Sequence, residues 1–373
     1  MGYPRPRFDI ADIVRAHRQD LEKQHWISRS QKRVLTAISR CRTAALGGHL
    51  EVCTGCRREH PVYNSCRNRH CPKCQAQAQQ KWIDARSARL LALQHFHQVF
   101  TPPSELRPLA HLHPVEIYTA LFHSVSELLL ELGRTRLKAT LGLTMVLHTW
   151  TRELAFHPHI HVLTTAAGLS LNGKCFVHAR KGFLFPVKVM GRLLRGKMLD
   201  ALRKLQRKGA FPELSQTAFN RLMANLAAHK SWVVYAKAPF RRSQHVLSYL
   251  GRYTHRVGIA NSRLVEVSVD HVTFLTKHGK TATLHPVEFL RRFIQHVLPD
   301  GFHKIRHAGL YASAHPGGLL ERARKLLPRL KDPKKPAPAP IDEPRRCTHC
   351  GGLILRLPLT LLARSPPLEA ACL

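Results

Sequence analysis

The sequence predicts an α+β fold, a central antiparallel sheet flanked by helices and preceded by a small metal-held module. Three observations lead there. Strand-like and helix-like segments interleave along the 373 residues but hairpins are frequent, which favours an antiparallel sheet over a doubly wound parallel one. Hydrophobic residues make up 44% of the chain, ample for a core, so the basic composition does not describe a disordered tail. Six cysteines crowd between Cys41 and Cys74, in a stretch where apolar periodicity vanishes.

Residues 1–48 read as an N-terminal helical segment, with Ile10, Ile13 and Val14, then Val34, Leu35 and Ile38, at three-to-four spacing up to the Gly47-Gly48 pair. Residues 49–94 read as a zinc-binding module with a polar connecting helix from about 75, held by metal more than by a core. The main domain, 95–321, opens on HFHQVFTPP as a short strand. Apolar residues from Val115 to Leu132 step as one face of an amphipathic helix. LTMVLHTW and FHPHIHVLTTAAG follow as adjacent antiparallel strands. A second amphipathic stretch, 186–208, carries Lys188, Arg192 and Arg195 on its polar face. SWVVYAKAPF is a strand before a helix over 243–257, SRLVEVSV and HVTFLTKH form a hairpin, and Pro286 opens a further helix at its first turn. Residues 322–373 form a basic, proline-rich linker and a Cys-x-x-Cys tail.

The chain carries 59 Lys+Arg against 23 Asp+Glu, a formal charge of +36. Self-repulsion on that scale calls for a polyanion and argues against an enzyme of neutral metabolites, so nucleic acid is the expected partner. The start lacks the apolar stretch of a secretory signal, and no run approaches the roughly 18 apolar residues of a membrane span. The expectation is a soluble, cytoplasmic, nucleoid-associated protein whose clustered cysteines bind metal and are not oxidised.

Cys53-x2-Cys56 and Cys71-x2-Cys74, fourteen residues apart, have the spacing of a four-thiolate zinc site. Four protein ligands leave no open position, so that zinc is structural. His49, His60, Cys66 and His70 interleave with them and allow two readings: a second zinc site, or a small buried cysteine with histidines as phosphate contacts. Cys347 and Cys350 are a pair of thiols that needs His349, Cys372 or another chain to fill a tetrahedral shell, unless the tail is simply exposed.

On a strand, His157, His159 and His161 alternate with Pro158 and Ile160, which puts three imidazoles on one face and the apolar residues on the other. Such a face can hold a divalent ion. SQHVLSYLGRYTHRVG places His245, Tyr249 and Tyr253 at successive four-residue steps, with Arg252 and Arg256 beside the phenols, although tyrosines four apart also pack into cores. A phenol can attack phosphorus and store the phosphodiester bond as phosphotyrosine. A metal on the histidine face would polarise the scissile phosphate, and two tyrosines permit two strand transfers.

YNSCRNRHCPKCQ (63–75), FHPHIHVL (156–163), YLGRYTHRVGIANSRL (249–264) and EFLRRFIQHVLPDGFHKIRH (288–307) together resemble rolling-circle transposases of the HUH (His-hydrophobic-His) two-tyrosine class, the insertion sequence 91 family. The resemblance covers most of residues 40–310. It implies an HUH endonuclease-like sheet, His159 and His161 as ligands of a catalytic Mg²⁺ or Mn²⁺, and Tyr249 and Tyr253 as nucleophiles forming 5′-phosphotyrosine links on single-stranded DNA. It also implies an N-terminal domain with structural Zn²⁺, and element ends and a target site as the DNA partners. A third metal ligand stays open among Glu153, His148, Gln244 and His245, with Glu153 or His245 foremost. Two rival functions remain: a replication initiator or relaxase with the same nicking chemistry, and a non-catalytic zinc-dependent nucleic-acid binder.

Overall fold

The computed structural model describes residues 6–87, 89–240, 258–312, 318–327 and 345–359. Its helices are α1 (Ile10–Gln24), α2 (Arg29–Arg40), α3 (Pro72–Ser87), α4 (Arg107–Leu112), α5 (Pro114–Leu132), α6 (Val187–Arg207), α7 (Gln216–Ala228), α8 (Pro286–Ile294) and α9 (Leu319–Leu326). Its strands are β1 (Gly48–Cys53), β2 (Glu59–Tyr63), β3 (His95–Thr101), β4 (Ala139–Thr140), β5 (Gly142–Trp150), β6 (Phe156–Thr165), β7 (Ala167–Ser170) and β8 (Phe176–His178). Then follow β9 (Val233–Phe240), β10 (Leu264–Val267), β11 (Val272–Leu275), β12 (Thr281–Leu284), β13 (Ile305–Gly309) and β14 (Ile354–Pro358).

The central sheet has the order β13-β5-β6-β3-β9 with antiparallel neighbours throughout. Strand alternation sorts its residues onto two faces. Leu143, Met145 and Leu147 of β5, Ile160 and Val162 of β6, and Phe100 of β3 share one core with α4, α5, α6 and α7. The apolar steps that predict α5 are the reason: Ile117, Leu121, Val125, Leu128 and Leu132 are all buried there. Gly191 lets α6 lie against the chain entering β9, since a Cβ at that position would sit 2.3 Å from the Trp232 carbonyl oxygen.

The opposite face presents Thr144, Val146 and His148 of β5 beside His159, His161 and Leu163 of β6, because Val146 pairs with His161 and His148 with His159. Val99 of β3 pairs with His161 on the other side, which brings His97 onto this face too. Trp82 of α3 and Ile305 of β13 pack on it against the buried pair Val146 and Leu163.

A second core joins segments far apart in sequence. Ile10, Ile13, Val14, Leu21, Val34, Leu35 and Ile38 of the first two helices pack with Phe274, Phe289, Leu290 and Phe293. The N-terminal helices, expected as a segment of their own, thus bury their apolar faces on the β10–β12 sheet and α8. Asp9 caps α1 and a reciprocal Ser28/Gln31 capping box starts α2, which fixes where each helix begins. The expected hairpin appears as β10–β11, and Pro286 does open α8. The expected helix over 243–257 lies outside the described residues. Among the described residues no helix is long and apolar enough to cross a membrane.

Three buried histidines brace this frame in their neutral forms. His95 faces the Leu93 carbonyl with Nδ1 (2.9 Å) and the Tyr311 hydroxyl with Nε2 (2.9 Å). His70 accepts the Leu298 N–H at Nε2 (3.3 Å), and His296 lies between the Thr149 hydroxyl and the Leu154 carbonyl, 3.3 Å from each. Burial holds His95 and His296 down to about 4 and His70 to about 3. The unfolded chain, with histidines near 6.5, takes up these protons first, so stability present at pH 7 is lost as pH falls from 6.5 through about 4. Urea midpoints should drop between pH 7 and pH 5, and His95→Gln should show a shallower drop; equal pH dependence in both proteins would exclude His95 as a source.

Candidate functional site

Three imidazoles converge on the histidine face where β5 and β6 pair. His148, His159 and His161 each offer one ring nitrogen, and these atoms all lie within 4.8 Å of one another. The Nε2 atoms of His159 and His161 are 3.1 Å apart, and the His148 ring centroid is 4.3 Å from that of His161 and 5.4 Å from that of His159.

For His159 and His161 to direct Nε2 lone pairs at a common point, their protons must sit on Nδ1, and each Nδ1 has an acceptor. That of His159 lies 2.7 Å from the His157 carbonyl oxygen, and that of His161 lies 2.9 Å from His97 Nε2. Such outer hydrogen bonds are what orient metal-binding histidines. Burial holds His159 down to about 4 and, with the neighbouring His159 and His97, pushes His161 well below its ordinary value. Both rings are therefore neutral at pH 7, as a metal ligand must be. The donor set fits a divalent ion.

Several expectations change here. His157, read from alternation as a third imidazole on the same face, sits at a register shift where Trp150 pairs with Phe156, and its Nδ1 meets Arg107 Nη2 at 2.9 Å. Glu153 is exposed in the connection between β5 and β6, its backbone N–H bonded to the Thr151 hydroxyl, and it is not in the cluster; His148 occupies the third position. His97 had no signal beyond strand alternation in HFHQVF. Tyr249, Tyr253, Arg252, Arg256, Gln244 and His245 lie outside the described residues. The chain is anchored on both sides of them: Phe240 pairs with His95, and a Cβ at Gly258 would touch Leu154, Phe293 and His296 at 3.3–3.5 Å.

Lys188 and Arg192 are exposed on α6, but α6 covers the sheet face opposite the histidines. Arg195 donates to the carbonyls of His229 (2.6 Å) and Ala227 (3.3 Å), which commits it to the end of α7.

Among the described residues the cysteines form two clusters, not the single Cys53/Cys56/Cys71/Cys74 set that spacing suggests. Cys71 and Cys74 meet Cys41 and Cys66, while Cys53 and Cys56 meet Cys347 and Cys350. The hairpin explains it: Cys53 and Cys56 ride at the tip of β1–β2, whereas Cys41 and Cys66 flank its base. A strand rising about 3.3 Å per residue carries the tip on the order of 15 Å from the base, beyond any shared ion. His70, held open as a ligand, is instead the buried acceptor described above.

In the first cluster Cys74 Sγ is 3.6 Å from Cys41 Sγ and 3.7 Å from Cys66 Sγ. The hydrogen bond from Cys71 holds Cys66 down to about 5, and the same bond together with burial pushes Cys71 far up. Four thiols this close cannot all ionise without a cation. The cluster sits where α2 ends and α3 begins, so it fixes the helix whose Trp82 lies on the histidine face.

A family model described as "Transposase zinc-binding domain" matches residues 13–102, and one described as "Putative transposase" matches residues 142–317. The chain is 40% identical over 353 residues to the Sinorhizobium fredii protein "Putative transposase y4qJ", covering 90% of this chain and 87% of that one. The chain belongs to the insertion sequence 91 family of transposases. The transposase is also 27% identical over 340 residues to the "Transposase for insertion sequence element IS801" of Pseudomonas savastanoi pv. phaseolicola, covering 85% of this chain and 81% of that one. No solved structure matches it. Its partner is accordingly DNA, in keeping with the charge of +36. The second family match begins at the first residue of β5 and so takes in the whole histidine cluster.

Proposed function

We propose that this transposase nicks and rejoins single-stranded DNA through 5′-phosphotyrosine intermediates in rolling-circle-type transposition. The observation that carries the reading is the convergence of His148, His159 and His161, with an acceptor at each Nδ1 of the last two. Mg²⁺ or Mn²⁺ bound there would supply Lewis-acid polarisation of the scissile phosphate.

Tyr249 or Tyr253 attacks phosphorus; the new P–O(tyrosine) bond replaces the P–O3′ bond, the phenolic proton passes to solvent, and the departing 3′-oxygen takes a proton from solvent to become a free 3′-hydroxyl. A phenol with pKa near 10 is protonated at pH 7, so attack needs the proton removed as the bond forms. In the reverse sense, a 3′-hydroxyl at the target attacks the phosphotyrosine and frees the tyrosine. The second tyrosine allows a second strand to be held at the same time. Cys41, Cys66, Cys71 and Cys74 would hold a structural Zn²⁺ that anchors α3 beside this site. The anchoring of Phe240 beside His95 and of Gly258 beside His296 supports a tyrosine segment that begins and ends near the histidine sheet.

The full chain, incubated with a labelled single strand from an element end and Mg²⁺ or Mn²⁺, should form a covalent protein–DNA adduct. The Tyr249→Phe/Tyr253→Phe variant should form none. An adduct of undiminished yield from that variant would overturn the assignment of the nucleophiles.

A further inference from the structure

The second cysteine cluster joins opposite ends of the chain. Cys53 and Cys56 turn between β1 and β2, and Cys347 and Cys350 turn just before β14. The zinc-binding family match stops at residue 102 and so takes in only the first pair. We infer that Cys53, Cys56, Cys347 and Cys350 form a second tetrahedral zinc site, a clasp that makes the C-terminal tail part of the N-terminal module.

The sulfur positions suit a metal. Cys53 Sγ lies 3.4 Å from Cys350 Sγ, and Cys56 Sγ lies 3.7 Å from Cys347 Sγ. Thiolates at about 2.3 Å from one zinc ion stand about 3.8 Å apart in a tetrahedron, whereas disulfide sulfurs stand about 2.05 Å apart.

The two pairs are also the same structural unit. In each, the residue after the second cysteine returns its N–H to the first cysteine's carbonyl: Arg57 to Cys53 at 3.0 Å and Gly351 to Cys347 at 2.9 Å. Both of those residues have positive φ, 55° for Arg57 and 73° for Gly351. Each first cysteine then donates its own N–H five residues on, Cys53 to Arg58 (3.0 Å) and Cys347 to Gly352 (2.8 Å). Within each turn the first sulfur accepts backbone N–H groups, from Cys56 and Gly55 in one and from Cys350 and His349 in the other. Two such knuckles facing one another supply four sulfurs and a set of amide dipoles that offset thiolate charge.

Their approach depends on missing side chains. A Cβ at Gly55 would lie 3.2 Å from Cys350 Sγ, and one at Gly352 would lie 3.0 Å from Cys53 Sγ and 3.1 Å from the Gly55 nitrogen. Around the knuckles the backbone is stitched together. β14 pairs with β1 from His49↔Pro358 to Cys53↔Ile354, and Thr54 N–H donates to the Leu353 carbonyl at 2.9 Å. Glu51 of β1 meets Arg345 at 3.2 Å and Arg356 at 3.5 Å. The knuckle pair that looked one shell short in sequence therefore finds its other half nearly three hundred residues earlier in the same chain.

Thiol counting on the full, zinc-loaded chain tests the clasp. Under a phosphine reductant, N-ethylmaleimide should modify exposed Cys175 and leave Cys53, Cys56, Cys347 and Cys350 unmodified, and should modify all ten cysteines after zinc is stripped. Cys350 is exposed and Cys347 only half-buried, so their protection requires bound metal and not burial alone. Modification of Cys347 and Cys350 in the zinc-loaded wild-type chain, mapped by peptide mass, would overturn the site. Cys347→Ser/Cys350→Ser should expose Cys53 and Cys56, adding both to the modified thiols, and should lower thiolate-bound metal from two ions to one, read from Co²⁺ charge-transfer absorbance. A variant that misfolds would modify all eight remaining cysteines, and the wild-type count then decides alone. The result is independent of the tyrosine chemistry, because no DNA is present.

Discussion

His159→Ala is expected to reduce adduct formation about a thousandfold while leaving the protein folded and able to hold single-stranded DNA. The size follows from the several kcal/mol that a bound metal contributes to a charged transition state, at about 1.4 kcal/mol per tenfold. His159 is only half-buried, so its loss leaves a smaller packing defect than loss of His161. The outer hydrogen bond gives a finer test. His97→Leu removes the acceptor 2.9 Å from His161 Nδ1 and should weaken Mn²⁺ binding by about 10- to 100-fold. Added Mn²⁺ should then restore much of the activity of His97→Leu but little of that of His159→Ala. If the two variants respond alike to metal, His97 does not act by orienting His161.

The second large effect is expected at Cys71. This buried sulfur lies in the core shared by α1, α2 and α8, and it starts the helix that reaches the histidine face. Structural zinc binding in small modules is worth about 10–16 kcal/mol, comparable with the whole stability of a domain at about 5–15 kcal/mol. Cys71→Ser should therefore unfold the N-terminal module, seen as lost hydrogen-exchange protection in α2 and α3, while the central sheet keeps its own. Treatment of the wild-type chain with a strong chelator should reproduce the pattern. Unchanged protection in α3 after either treatment would show that packing alone holds the module.

These two sites differ in how far they can be read along the chain. The β5 and β6 segments were legible as strands because apolar residues alternate with Thr144, His148, His159 and His161, and a period of two assigns each residue to a face. It does not say which residue stands opposite which. A one-residue slip would have moved His148 away from His159, and the five-residue connection with its register shift at Trp150 and Phe156 sets that pairing. Glu153 was a candidate ligand by proximity in sequence and is exposed in that connection instead. The basic face of 186–208 was equally legible, yet only packing showed that its helix covers the far side of the sheet and that Arg195 closes α7.

By itself the sequence determined the α+β class, the strands around HFHQVF, LTMVLHTW and FHPHIHVL and the helices over 115–132 and 186–208, DNA as a polyanionic partner, clustered cysteines suited to a metal and the transposase family, since each depends on composition, local period or motif order; α7 and the edge strand β13 carried no such signal. Tertiary structure decided which candidate ligands meet: His148 joins His159 and His161, Cys41 and Cys66 join Cys71 and Cys74, and Cys347 and Cys350 join Cys53 and Cys56. Spacing measures distance along the chain, and a ligand shell is a distance in space. The β1–β2 hairpin drives neighbours in sequence apart, and the pairing of β1 with β14 brings the two ends of the chain together.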